Sequence, residues 1–423
     1  MRVHGYGLSD VGNKRTNNED SLLIDEALNL YIVADGMGGH AGGEVASGSA
    51  VASISRYLHE NEISTLLNDA EPDLQAISRL CEEGVQAACS DVWKLATSGD
   101  GPAGMGTTLT MLLFAGAKGV MIHVGDSRLY LVRAGKLHQM SEDHTFTAEL
   151  VRNGVFSETQ AVQSPYAHVL TRALGKSESV QVDTLLFDVL PQDTFLLSSD
   201  GLTSYVEDAE LVNYLSATDI RNLPQRFVEM ALERGGEDNV TVIVVRAQSD
   251  ESVSVEQQVY CTKVQYQFEI LQEVTLLRNL SMAGLMHLMD ISEEKTYDVG
   301  QTIFEQGRAC ASVVIVLEGS LAVLRDGFHL ATLGSGEFAG ARSCLRSRPS
   351  PATLKAHKKS LCLVIDHDAL QRLVKKEPRI GVVILKNFGD ELSDRLRETV
   401  TVLMDMEPFS EAVDEMPSVL LLP

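Results

Sequence analysis

The chain has 423 residues, 44% of them apolar and 22% charged, which suits two or three folded domains and excludes wholesale disorder. Acids outnumber bases 59 to 35, for a formal net charge of −24. So acidic a chain is a poor partner for nucleic acid or an anionic membrane, because phosphate binding rests on basic patches. Six scattered cysteines with no Cys-x-x-Cys pair argue against a disulfide scaffold and the usual zinc ribbons, and suit a reducing cytosol. The amino terminus lacks the apolar core of a signal peptide, and no uncharged apolar run is long enough to span a bilayer. The expectation is a soluble cytoplasmic protein.

In chain order, strands are expected at Leu30–Ala34, Val120–Val124, Thr194–Ser198 and Val240–Arg246, all rich in apolar and β-branched residues. Two helices interrupt them. One runs from about Gly43 to Glu60; the other, from about Pro72 to Ala96, carries Leu74, Ile77, Leu80, Val85, Ala88, Val92 and Leu95 at helical period. Nearly all the excess acid falls before residue 262, and Ala247–Gln258 reads as a polar connector. Beyond it, Glu269–Met289 is helical, glycines at 300, 307, 319, 327, 334, 336 and 340 punctuate short strands, and helix returns from Asp366. The expected architecture is α/β: an α-β-β-α sandwich of antiparallel sheets flanked by helices, then a smaller β-roll with flanking helices. Its parts are residues 1–248, a linker at 249–268, a second domain at 269–404 and an acidic tail at 405–423.

Four aspartates stand at strand ends or just before a strand: Asp35 in Ile-Val-Ala-Asp-Gly, Asp126 in His-Val-Gly-Asp-Ser, Asp200 in Leu-Ser-Ser-Asp-Gly, and Asp238 in Glu-Asp-Asn-Val-Thr. Asn18-Glu19-Asp20 adds a fifth acidic group. Any one Asp-Gly pair is ordinary turn chemistry. Carboxylates from five segments meeting at one sheet edge would repel unless a cation neutralised them, and oxygen donors without a His/Cys cluster indicate Mg²⁺ or Mn²⁺ rather than zinc. Rival chemistries lack their parts. Gly101-Pro-Ala-Gly-Met-Gly106-Thr-Thr has no P-loop lysine, and there is no Gly-x-Ser-x-Gly elbow.

These motifs, with Ser9-Asp-Val-Gly-Asn-Lys-Arg15-Thr-Asn-Asn-Glu19-Asp20, Met105-Gly-Thr-Thr-Leu109 and Leu170-Thr-Arg-Ala-Leu-Gly175 between and before them, run in order from about residue 4 to residue 247. The sequence here resembles the metal-dependent Ser/Thr protein phosphatases of the type 2C family in their bacterial form. The resemblance implies that Asp35 bridges two Mn²⁺ or Mg²⁺ ions, that the Gly36 carbonyl joins one, and that Asp200 and Asp238 complete the other. It implies that Glu19 or Asp20 is a metal ligand or holds a metal-bound water, that Asp126 helps bind a third, weaker ion, and that Arg15 clamps the phosphate. His40 either protonates the departing oxygen or is a structural histidine in its Gly-rich loop. His144 and His168 are expected to shape the edge and flap of the site, with Thr145–Tyr166 as the flap. The implied reaction is hydrolysis of phosphoserine and phosphothreonine in phosphoproteins, targets of a Ser/Thr kinase, by metal-activated water. The alternative is a non-catalytic phosphoprotein-binding or scaffolding protein derived from such an enzyme.

Residues about 269–400 resemble the cyclic-nucleotide-binding domain family through Tyr297-Asp-Val-Gly300-Gln-Thr-Ile-Phe-Glu-Gln-Gly307, Val314-Ile-Val-Leu-Glu-Gly319 and Leu333-Gly-Ser-Gly336-Glu-Phe338-Ala-Gly340. The family places a glutamate on the ribose and an arginine on the cyclic phosphate; here Ala341 and Ser350 stand at those positions. Arg342, Arg346 and Arg348 are read as solvated surface arginines rather than as substitutes, so no cyclic-nucleotide pocket is expected, and the module would sense another ligand or mediate assembly. Phe388, Leu392, Leu396, Val400 and Leu403 form a stripe that either pairs two subunits into a homodimer or packs on its own β-roll.

Overall fold

The computed structural model describes residues 1–38, 42–69, 72–98, 102, 104–217, 219–248, 255–341 and 348–404. Two units emerge from the contacts: Met1–Val264 with Ser281–His287, and Gln265–Leu280 with Leu288–Pro423.

In the first unit the strands are β1 (Arg2–Asp10), β2 (Asp20–Asp25), β3 (Leu30–Met37), β4 (Gly106–Thr107), β5 (Leu109–Ala115), β6 (Lys118–Val124), β7 (Arg128–Arg133), β8 (Lys136–Gln139), β9 (Asp183–Asp188), β10 (Thr194–Ser198) and β11 (Val240–Gln248). They form two antiparallel sheets, one ordered β1-β11-β10-β7-β8 and the other β2-β3-β5-β6-β9, with β4 paired to β3. The helices are α1 (Gly42–Glu60), α2 (Ile63–Leu67), α3 (Leu74–Ser98), α4 (Phe146–Arg152), α5 (Glu158–Val162), α6 (Asp200–Thr203), α7 (Asp208–Leu215) and α8 (Leu223–Glu233).

Period-2 alternation assigns each strand face. In β3, Leu30, Ile32 and Ala34 join a core with Ile54 and Leu58 of α1 and Ile77, Val85 and Val92 of α3. Tyr31 turns the other way and meets Phe114 edge-on; Phe114 in turn meets Phe195 of the opposite sheet at 5.4 Å between ring centroids. Val240, Val242 and Val244 of β11 pack with Leu211, Leu215 and Phe227 of α7 and α8. Helix, sheet, sheet and helix are thus stacked as layers. The inner strands β3, β5 and β10 are buried on both faces because both are covered.

The second unit holds β12 (Ser292–Tyr297), β13 (Thr302–Phe304), β14 (Ala309–Cys310), β15 (Ser312–Glu318), β16 (Leu321–Arg325), β17 (Phe328–Leu333), β18 (Phe338–Ala339), β19 (Arg348–Pro349), β20 (Thr353–Ala356) and β21 (Ser360–Asp366). Two four-stranded sheets, β12-β21-β15-β18 and β13-β20-β16-β17, roll around Val314, Val316, Leu321, Leu354 and Cys362. Helices α9 (Val255–Glu273), α10 (Met282–Asp290), α11 (His367–Lys376) and α12 (Pro378–Met404) complete the chain. Helix α9 occupies most of 249–268, the stretch read as a linker. Its polar start, Glu256-Gln-Gln, reads as a connector in sequence, although Val264, Phe268 and Leu271 recur at helical spacing and are buried.

Candidate active site

The β2–β3 pairing sets Asp20 directly opposite Asp35, at the end of one sheet. Beyond Asp35 the chain must pass close to its neighbours. A Cβ on Gly36 would lie 2.1 Å from the Gly43 carbonyl oxygen, and the Gly36 amide donates to the Glu19 carbonyl at 3.1 Å. Glycine is the residue that admits this crossing. Thr108 locks the strand end: its Oγ1 accepts from the Asp35 amide at 2.9 Å and contacts Ser127 Oγ at 2.7 Å, next to Asp126.

The opposite sheet delivers Asp200 after β10 and Asp238 before β11. These two segments nearly touch, since a Cβ on Gly201 would lie 1.9 Å from the Asn239 carbonyl oxygen. Asn239 ties this edge to the first: its Oδ1 accepts from the Glu19 amide at 2.7 Å and its Nδ2 donates to the Val11 and Asn17 carbonyls. Ser199 Oγ donates to Asp20 Oδ2 at 2.7 Å while accepting from the Thr241 amide at 3.0 Å.

Buried negative charge is the result. Burial, opposed by hydrogen bonds from Thr241 and Ser199 and reinforced by Asp200 and Asp238, pushes the Asp20 carboxyl up to about 7. Asp126 is likewise pushed up to about 7, by burial first and then by Asp200 and Asp143. Asp35 is held well above the ordinary carboxylate range by its removal from water and by Asp20, Asp200, Asp126 and Asp238 together.

Asp238 Oδ2 accepts from Arg15 Nη2 at 2.8 Å, and Asp200 Oδ2 lies 3.6 Å from His168 Nδ1. Asp238 is turned to Arg15 and Asp200 to His168, and no three His, Cys, Asp or Glu side chains among the described residues stand as a ready-made single-ion cluster. The donor set nonetheless fits hard divalent cations. Every donor is oxygen, like charges crowd each other out of water, and Asp20 Oδ1 is buried without a hydrogen-bond partner.

The profile described as Protein phosphatase 2C matches residues 12–234, more than half of the chain. The chain belongs to the protein phosphatase 2C family. It is 38% identical over 236 residues to the serine/threonine protein phosphatase PstP of Mycobacterium tuberculosis, taking in 56% of this chain and 43% of that protein. This chain therefore spans less than half the length of PstP. The serine/threonine phosphatase stp of Listeria innocua is 37% identical over 249 residues, 57% of this chain and 95% of its own length. A solved structure of the PstP catalytic domain in complex with 2 manganese ions covers 58% of this chain and 99% of its own, at 35% identity and a TM-score of 0.50. Residues 294–377 match the profile described as Cyclic nucleotide-binding domain.

Within the phosphatase 2C domain, the structure brings Asp20, Asp35, Asp126, Asp200 and Asp238 into mutual electrostatic reach, with Arg15 at their rim. Glu19 is set apart from Asp20. Its carboxylate packs over Gly43 and lies 3.9 Å from Arg15, while Asp20 is buried. His40 lies outside the described residues. His144 is a buried strut: its Nδ1 accepts from the Gly125 amide at 3.0 Å, and its Nε2 contacts Asp183 at 3.0 Å, which is also gripped by Arg172 at 2.6 Å. His168 is mostly exposed, and its imidazole is pushed up by the Asp200 carboxylate 3.6 Å away. The stretch Thr145–Tyr166 carries the short helices α4 and α5 and exposes Phe146, Val155, Val162 and Tyr166.

Sequence reasoning passed over Ser199, Asn239, Thr108 and Asp183. Ser199 and Asn239 flank Asp200 and Asp238 in the motifs, so adjacency could have found them. Nothing near Gln181-Val-Asp183-Thr sets that aspartate apart.

In the second unit, Ala341 and Ser350 both line a cavity of about 280 Å³. Ser350 Oγ is engaged with the Ala352 carbonyl at 2.7 Å, and the Ala341 side chain offers no polar atom.

Proposed function

We propose that the chain hydrolyses phosphoserine and phosphothreonine in proteins with the help of two divalent cations, Mn²⁺ or Mg²⁺. The observation that carries this reading is the buried meeting of Asp20, Asp35, Asp126, Asp200 and Asp238, which costs stability and has no structural use without a cation. In this reading Asp35, the Gly36 carbonyl, Asp200 and Asp238 would hold the two ions. Asp20 takes the supporting role ahead of Glu19, because it is buried with one oxygen free of partners. Asp126 contributes to a third, weaker position. When bound, the ions supply acidified water and offset phosphoryl charge.

The chain's own residues do the rest. Arg15, half exposed at the rim, exchanges Asp238 for two phosphoryl oxygens of the substrate in fork geometry. His144 and Asp183 brace the Gly125 turn, so that Asp126 is held without help from substrate. His40 is assigned the protonation of the departing serine or threonine oxygen on its place in the motif alone. Kinase-phosphorylated proteins in the cytoplasm are the natural substrates of such a site.

The decisive assay is Mn²⁺-dependent hydrolysis of p-nitrophenyl phosphate by the full chain. We expect activity that a chelator removes, and that Asp35→Asn and Asp238→Asn each abolish. Turnover persisting in both variants would refute the assignment. For the second unit we propose that cyclic nucleotides are not its ligand, since Ala341 and Ser350 supply neither the carboxylate nor the guanidinium. A saturable heat signal with micromolar cyclic AMP or cyclic GMP would overturn this.

A further inference from the structure

Beside the acidic centre of the first unit lies an open groove of about 560 Å³. Met37, next in the chain to Gly36, and His168, 3.6 Å from Asp200, line it where it meets the candidate active site. Its charged lining is His168, Arg172 and Lys176, with no acid among the described residues. In a chain of net charge −24 this is a local inversion of sign. Arg172 is committed to Asp183 at 2.6 Å, and His168 faces Asp200. Lys176 is different. Its stem crosses Gly106, where an added Cβ would meet Lys176 Cε and Met37 Cε at 3.1 Å each. Its ammonium donates to the Gly104 carbonyl at 2.6 Å. These contacts hold the side chain on the groove wall beside Met37, with a neutral carbonyl rather than a carboxylate as its partner. An ammonium carries three donors, and this contact uses one.

We propose that this groove takes an anionic side chain of the phosphoprotein substrate, one that flanks the scissile phosphoresidue, with Lys176 as its partner. The inference rests on the phosphatase reading and deepens it: the preferred substrates carry a second anion, a carboxylate or a further phosphate, close to the phosphate being removed. The argument is one of range. Exposed charges are screened beyond about 8 Å at physiological salt, so the overall acidity of the chain weakly opposes any acidic peptide. A cation in the groove acts on the one side chain laid against it. An exposed ion pair of this kind gives about a two- to fivefold preference. Acid at the matching position therefore helps against the sign of the whole molecule, and acid elsewhere does not.

Phosphothreonine peptides with otherwise neutral side chains test it on the full chain with Mn²⁺. Aspartate replaces alanine at each flanking position in turn, out to about four residues on either side, the reach of an extended segment across the groove. At a position on one side of the phosphothreonine, KM should fall about two- to fivefold relative to the alanine peptide, and high salt should erode the gain. A non-hydrolysable phosphonate analogue of phosphoserine at that position separates the sources. A larger gain than aspartate gives names a second phosphate, and an equal or smaller one names a carboxylate. Lys176→Gln should abolish the gain, and Lys176→Glu should invert it, so that the aspartate peptide has the higher KM. Each comparison is a ratio of two peptides on one protein, so a general loss of activity cancels. Circular dichroism melting checks folding; where Lys176→Glu fails it, Ser179→Glu, exposed on the same groove, should shrink the gain. Equal KM for aspartate and alanine peptides at every position in the parent overturns the proposal, as does a gain that persists in Lys176→Gln. Hydrolysis of the neutral peptide without any gain sinks the groove alone. Failure to hydrolyse either that peptide or p-nitrophenyl phosphate sinks the phosphatase reading with it.

Discussion

Asp35 is the residue on which the first unit's chemistry turns, and its environment makes a double prediction. Exchange for asparagine removes one member of a crowded set of like charges, so in chelator-treated protein Asp35→Asn should melt higher than the parent. The same change should cut Mn²⁺-dependent turnover by more than the about 10–100-fold typical of losing a supporting residue. Thermal melting and p-nitrophenyl phosphate hydrolysis measure the two sides; a variant no more stable than its parent would show that the carboxylates do not strain one another. Arg15→Lys keeps the charge but loses the fork, and should raise KM about tenfold with a smaller change in kcat.

His123 offers a pH test away from the metal ligands. It is fully buried, its Nε2 facing the carbonyls of Gly125 and Glu142 at 3.1 Å, and burial pushes it down to about 3. Its folded value lies below the ordinary 6.5, so the unfolded chain takes up a proton in that window and the folded chain does not. The stability it contributes is whole above about pH 6.5 and falls by about 1.4 kcal/mol for each unit below it. His123→Gln should flatten the dependence of the melting midpoint on pH between about 6.5 and 4.5. An unchanged slope would mean that His123 protonates in place.

At the scale of elements, the site is a seam between two strand ends, and its tightest point is Gly201 against Asn239. A Cβ there would lie 1.9 Å from the Asn239 carbonyl oxygen, so Gly201→Ala must push the Asp200 and Asp238 segments apart. We expect a loss of about 1–3 kcal/mol, as in other overpacked sites, together with a fall in activity. Gly116→Ala is the counterpart. Gly116 has φ +62° in a turn with nothing within 4 Å, so its change should cost about 1–2 kcal/mol of backbone strain and leave turnover intact. Denaturant unfolding beside the phosphatase assay separates the two. Much of the seam was legible in the chain, because Asp-Gly pairs followed apolar strands. Its closeness was not, since only the β2–β3 register and the meeting of two sheets set Asp20 against Asp35 and Gly201 against Asn239.

For the molecule as a whole, cation binding should be a source of stability as well as of chemistry. The single tryptophan, Trp93, lies on α3 and so reports the melting of the first unit. Added Mn²⁺ should raise its fluorescence midpoint, the more so as ion concentration rises past the dissociation constant. Asp35→Asn should remove the shift, and a shift of equal size in that variant would place the ion elsewhere.

The order of the motifs, the alternation of apolar strands and the stripe on α3 were enough to settle the layered fold and to name the acids, because periodicity and motif spacing are properties of the chain itself. The start of α9 escaped that reading because its polar run Glu256-Gln-Gln reads as a connector. Two matters belonged to the tertiary structure: which acid of Asn18-Glu19-Asp20 is buried, and that His144 is a strut held by Asp183. Each depends on what residues far apart in sequence place around a side chain, and burial and partnership exist only once those neighbours have met.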